Sequence, residues 1–124
     1  MSFLTESWQS LRHASRGLLL AFRTERSFRI HVAAALGVVL ICLIAPLHRW
    51  ERALLFLVTA SVLVLELVNS MVERLTDLVK PRMHSYVRDI KDMMAAAVLV
   101  ASIFAAALGV LILWPYAGIL IGRV

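Results

Sequence analysis

Charge is scarce in this sequence. Asp, Glu, Lys and Arg make up 17% of its 124 residues, against about a quarter in a soluble domain, while 61% are hydrophobic. That shortfall excludes an ordinary water-soluble core and points to an integral membrane protein of one domain. Only one cysteine is present, Cys42, inside an apolar run. It excludes an intrachain disulfide and a thiolate metal site, and reads as a small buried hydrophobe. Repeats, low-complexity segments and interdomain linkers are absent. Some thirty amphipathic residues precede the first apolar run, too many for the basic start of a cleavable signal peptide.

The charges that are present are placed unevenly. The net charge is +5, but its distribution argues against nucleic acid. One basic group is Arg12, Arg16, Arg23, Arg26 and Arg29, and the other is Arg74, Lys80, Arg82, Arg88 and Lys91. Both flank hydrophobic runs, as juxtamembrane clusters do on the cytoplasmic side. Arg49, Arg52 and Arg123 are left for the opposite side. The expected topology is a cytoplasmic N-terminus and an external C-terminus, in a membrane that faces the cytoplasm.

Between these clusters the hydrophobic pattern predicts an all-α membrane protein. Residues 1–29 read as an amphipathic surface helix, with Leu4, Trp8, Leu11, Leu18 and Phe22 on one face and arginines on much of the rest. Membrane-spanning helices are expected over 30–48, 53–78 and 93–114, with a tight polar loop HRWER between the first two. Pro115 and Gly118 predict an end or kink near Trp114, where Trp114 and Tyr116 suit an interface.

The second span ends unexpectedly, in ELVNSMVERLTD. At roughly 100° per residue, Glu66, Asn69, Ser70, Glu73 and Asp77 share a stripe about 100° wide. Counted from Ala53 at about 1.5 Å per residue, Glu66 lies roughly 20 Å into the membrane and Glu73 roughly 30 Å, at the cytoplasmic edge. An ionised acid at mid-bilayer costs about 3 kcal/mol on insertion scales. Such acids face a partner or a cavity and mark function. A plainer reading remains, in which Glu66 and Asn69 bond neighbouring helices and glue an oligomer. Glu25 lies among arginines and reads equally as a local ion pair. Lys91 and Asp92 stand at the expected start of the third span, where a cation is unfavourable, so Lys91 needs a carboxylate or a phosphate.

Together these groups suit phosphoryl transfer from a nucleotide in water to an alcohol in lipid. Carboxylates from Glu25 and Glu73 suit Mg²⁺, Lys91 suits a phosphate, and desolvated Glu66 suits a general base. No glycine-rich phosphate loop and no soluble-kinase signature occur.

Three motifs in order, RTERSFRIH at 23–31, ELVNSMVERLTD at 66–77 and KDMMAAAVLVA at 91–101, resemble the small prokaryotic diacylglycerol kinase and undecaprenol kinase family of membrane lipid kinases. The resemblance implies a homotrimer with active sites between subunits on the cytoplasmic side, and ATP with Mg²⁺ as donor. It implies Glu66 as general base, supported by Asn69, and Glu25 and Glu73 as metal ligands. Lys91, Asp92, His84 and Asp77 are then expected around the nucleotide, and Phe28, Arg29 and His31 near the lipid. Met71 and the loop KPRMHSY depart from the usual wording. His31 and TDLV lean towards undecaprenol as acceptor, because the diacylglycerol kinase branch has an acid at the position of His31. The rival expectation is a non-enzymatic oligomer conducting protons or cations along the acidic stripe.

Overall fold

A computed structural model describes residues 3–79, 82 and 84–122. Lys80 and Arg123 from the charge reading, and Lys80, Pro81 and Met83 from KPRMHSY, lie outside the described residues. Every element among the described residues is helical. Helix α1 spans Phe3–Thr24, α2 Arg26–Ile44, α3 Arg49–Val79 and α4 His84–Leu113. A 3-10 turn, Trp114–Tyr116, leads into a short α5, Ala117–Leu120. Three helical stretches are long and apolar enough to cross a membrane: Arg26–Ile44, Arg49–Val79 and His84–Leu120. Helix α3 is the hub and packs against α4 on one side and α2 on the other.

The helices outrun the apolar runs that announce them. Helix α2 starts at Arg26, not Ile30, α3 starts at Arg49 rather than Ala53, and α4 starts at His84 rather than Met93. The polar flanks 26–29, 49–52 and 84–92 contain no glycine or proline to stop a helix, and a helix has no reason to end where the hydrocarbon does. HRWER is therefore helical from Arg49 onward, and the turn between the helices runs over Ala45–His48. Lys91 stands two turns inside α4, so its need for an anion does not come from a helix start.

Residues 1–29 do not form one continuous helix. Glu25 is extended, with φ −107° and ψ 110°, and separates α1 from α2. Its backbone N–H still bonds the Ala21 carbonyl at 2.8 Å. The break orphans the last carbonyls of α1, and Arg29 satisfies two of them. Its Nη1 donates to Phe22 O at 3.0 Å and to Arg23 O at 3.1 Å. A cation on a helix C-terminus also suits the helix dipole.

At the other end of the helices a small core forms from Cys42, Ala45, Leu47, Leu55 and Ile112. Cys42 is 1% exposed and packs as a small apolar residue. A polar clasp sits beside this core. Glu51 Oε2 accepts the His48 backbone N–H at 2.8 Å and the Tyr116 hydroxyl at 2.8 Å. It thereby ties the α2–α3 turn to the bend that follows α4. Pro115 forces that bend, because a proline lacks the N–H that a continuing helix needs. Tyr116→Phe removes the cross-link and leaves the ring in place. Its expected effect is a thermal midpoint lower by a few degrees in detergent, and no further loss when Glu51→Gln is added, as a double-mutant cycle would measure.

Candidate active site

The acidic stripe of α3 faces inward and becomes progressively exposed along the helix. Glu66 is 2% exposed and Ser70 5%, Asn69 and Glu73 are half-buried, and Asp77 is exposed. The gradient follows from the 3.6-residue period: one face stays against α2 and α4 until the helix leaves the bundle. Ser70 Oγ donates to the Glu66 carbonyl at 3.1 Å, and Thr76 makes the same backward bond to Val72 O at 2.9 Å. Both polar side chains are thereby satisfied within α3 itself.

Helix α2 places His31 across from Glu66. Its Nε2 stands 3.7 Å from Glu66 Oε2, beyond hydrogen-bond length, so the contact is electrostatic. The carboxylate is thus buried beside one titratable ring without being tied to it. Phe28, one turn earlier in α2, is 4% exposed and packs inside the chain. Arg29 is committed to the α1 carbonyls, as described above. Of the three residues expected near a lipid, His31 makes an electrostatic contact with the acid.

Two further contacts gather the remaining charges near the end of α3. Lys91 Nζ donates to Asp77 Oδ1 at 2.6 Å, which ties α4 to α3. Glu73 lies close enough to add its field to that of Asp77 at Lys91. The carboxylate that Lys91 requires is therefore in its own chain, while Asp92 beside it is exposed. The second contact joins the α1–α2 break to α3. Arg74 Nη2 donates to Thr24 Oγ1 at 2.7 Å and lies 3.4 Å from Glu25 Oε1. Thr24 in turn donates to Leu20 O at 2.9 Å. Glu25 therefore meets α3 one residue from Glu73.

The sequence shows Arg74 only as one of a basic cluster and gives no cue to Thr24. The one available signal was a cation adjoining a carboxylate at the end of a helix. No three His, Cys, Asp or Glu side chains cluster among the described residues. Glu25 and Glu73 can therefore offer two hard carboxylates at most, which suits Mg²⁺, an ion that completes its shell with water and phosphate. His84 opens α4 and is exposed. With Arg82, Ser85, Tyr86, Arg88 and Asp89 it lines an open recess of about 620 Å³. Three cation-capable side chains there, two of them arginines, favour an anionic occupant.

The chain matches the family model described as prokaryotic diacylglycerol kinase over residues 12–113. Among characterised proteins it is similar to the undecaprenol kinase of Bacillus subtilis, 34% identical over 112 residues that cover 90% of this chain and 91% of that one. It is similar to a diacylglycerol kinase of Synechocystis, 36% identical over 107 residues, 86% of this chain and 61% of that one. It is also 34% identical to the diacylglycerol kinase of Escherichia coli K12 over 104 residues, 83% and 84% of the two chains. Nothing in these likenesses supports a non-enzymatic conductor. With three helices long and apolar enough to span a membrane and a buried acid on the middle one, the chain belongs to the prokaryotic diacylglycerol kinase family.

Proposed function

We propose that this membrane lipid kinase transfers the γ-phosphoryl group of ATP to the hydroxyl of a long-chain membrane alcohol, diacylglycerol or undecaprenol. The observation that carries the reading is the Glu66 carboxylate, buried within the chain 3.7 Å from His31. Glu66 takes the hydroxyl proton as the alcohol oxygen attacks the γ-phosphorus. The bond between that phosphorus and the β–γ bridging oxygen breaks, and ADP leaves. Such transfers depend on positioning and on offsetting negative charge. Lys91 supplies charge to the phosphates by exchanging Asp77 for a phosphate oxygen, and Arg82, His84 and Arg88 steer the nucleotide towards it. Asp92, next to Lys91, and Asp77 border the nucleotide, and Asn69 supports the helix turn above Glu66. Glu25 and Glu73 are the residues that would hold Mg²⁺, which neutralises phosphate charge when bound.

The same reading sets the chain in the bacterial cytoplasmic membrane with the Lys91 end inside. It is supported by the basic residues around that end. α1 then lies along the inner surface, where its arginines meet phosphate headgroups. A homotrimer, which the family likeness favours, covers part of the apolar surface that α2, α3 and α4 leave exposed. His31 and the match to the undecaprenol kinase favour a polyprenol as acceptor.

Radiolabelled ATP supplied to purified protein with each alcohol tests this directly, since label extracted into organic solvent reports transfer to lipid. Glu66→Gln is expected to reduce transfer by roughly 10²–10⁴-fold with helicity and assembly unchanged, and undiminished labelling would refute the base assignment. Glu73→Gln is expected to raise the Mg²⁺ concentration needed for half the maximal rate. Lys91→Ala and Asp77→Ala are each expected to speed amide exchange over the first turns of α4, and the double substitution no more than either one, because the two side chains hold a single tie.

A further inference from the structure

Glu25 stands where an acid ordinarily has a use close to hand. It is the N-cap of α2, and a carboxylate at that position usually accepts from the free N–H groups of the first turn, aided by the helix dipole. Its side chain makes no such bond. The backbone there is extended, and its N–H is held by Ala21 O at 2.8 Å. The main chain is thus fixed from α1, while the carboxylate is turned away from its own helix and towards α3.

Arg74 meets it there. Its Nη2 donates to Thr24 Oγ1 at 2.7 Å and lies 3.4 Å from Glu25 Oε1. A threonine hydroxyl has one proton to give. Thr24 gives it to Leu20 O at 2.9 Å, so its oxygen is left to accept from Arg74. Thr24 therefore aims the guanidinium, and the guanidinium rests on Glu25. The contacts of the carboxylate, with Arg74 and with Thr24 at 3.4 Å, both fall on Oε1. Among the described residues nothing bonds Oε2.

As an ion pair this contact adds little stability, because water reaches both side chains, at 50% and 24% exposure. What it supplies is direction. Resting on the reading of Glu25 and Glu73 as the residues that would hold Mg²⁺, we propose that Arg74, aimed by Thr24, is a positioning residue for that site: it holds Glu25 by Oε1 and leaves Oε2 available to the cation. Two effects of Arg74 then oppose each other. Its charge repels a second cation, and its hydrogen bonds orient a ligand for one. The repulsion is screened where water has access, whereas loss of a partner that orients a metal ligand costs 10–100-fold in affinity. Removing Arg74 therefore weakens metal binding if it positions Glu25, and tightens it if it acts by charge alone.

Mn²⁺ is the probe for the test. It is titrated by electron paramagnetic resonance into full-length protein in detergent with a non-hydrolysable ATP analogue, so that binding is read without turnover. Arg74→Gln is expected to weaken Mn²⁺ binding roughly tenfold. Arg74→Lys keeps the charge but not the planar fork, and is expected to fall between Arg74→Gln and the natural protein. Thr24→Val removes only the hydroxyl and is expected to weaken binding about threefold. Combined with Arg74→Gln it adds nothing, because Thr24 acts through Arg74. In the lipid-labelling assay the same variants are expected to raise the Mg²⁺ concentration for half the maximal rate by matching factors and to leave KM for the alcohol unchanged, a split that general loosening of the fold would not give. Unchanged or tighter Mn²⁺ binding in Arg74→Gln overturns the inference, and weakening there but not in Thr24→Val removes Thr24 from it. Should Arg74→Gln fail to fold, Thr24→Val decides by the same criterion. A natural protein that binds no Mn²⁺ overturns instead the metal reading of Glu25 and Glu73.

Discussion

A carboxylate buried among lipid-facing helices is the constraint from which the rest of this structure follows. Glu66 is 2% exposed, and a buried charge must be paired, hydrated or neutralised. Helix α3 cannot meet that need alone, so its acidic face has to be turned inward and covered. Helices α2 and α4 do this by packing on the two sides of α3 and not closely on each other. Lipid gives no hydrophobic drive for that arrangement, so close packing and polar ties must hold it. The ties lie at the two ends. Lys91–Asp77 and Arg74–Thr24 fasten one, and Glu51–Tyr116 fastens the other.

The same geometry explains why the charges collect at one end. An inward acid stripe that continues past the bundle must emerge into water, and Asp77 is where it does so. A helix returning from there passes its own first turns beside that stripe, so a cation two turns in meets the carboxylate. Helix α1 arrives at the same level through the break at Glu25, and Arg74 receives it. Three chain segments therefore converge on a few side chains at one end of α3.

Much of this could be read from the sequence, for reasons of period and charge scarcity. In a chain with 17% charged residues, each acid in an apolar run stands out, and a 3.6-residue period shows which acids share a face. The burial order from Glu66 to Asp77 follows the stripe as read. Helix ends were less legible, because hydropathy reports where lipid stops and not where hydrogen bonding stops. That is why α4 begins at His84 and not at Met93. The break at Glu25 carries no glycine or proline to announce it. It is stabilised by Arg29, whose partners are carbonyls that only the folded break exposes. Contacts distant in sequence, such as Arg74 with Thr24, have no local signature at all.

Ser102 marks the limit of such reading most sharply. In the sequence it is one small polar residue in a long apolar helix, a type that normally returns its hydroxyl to its own backbone and matters little. Four serines elsewhere in this chain do that. Ser102 departs from them: its Oγ is buried without a hydrogen-bond partner, at a position that the Lys91–Asp77 tie sets level with Glu66. Residue type and helical period are the same for all these serines, so only the packing of α4 on α3 distinguishes the one that is left unpaired.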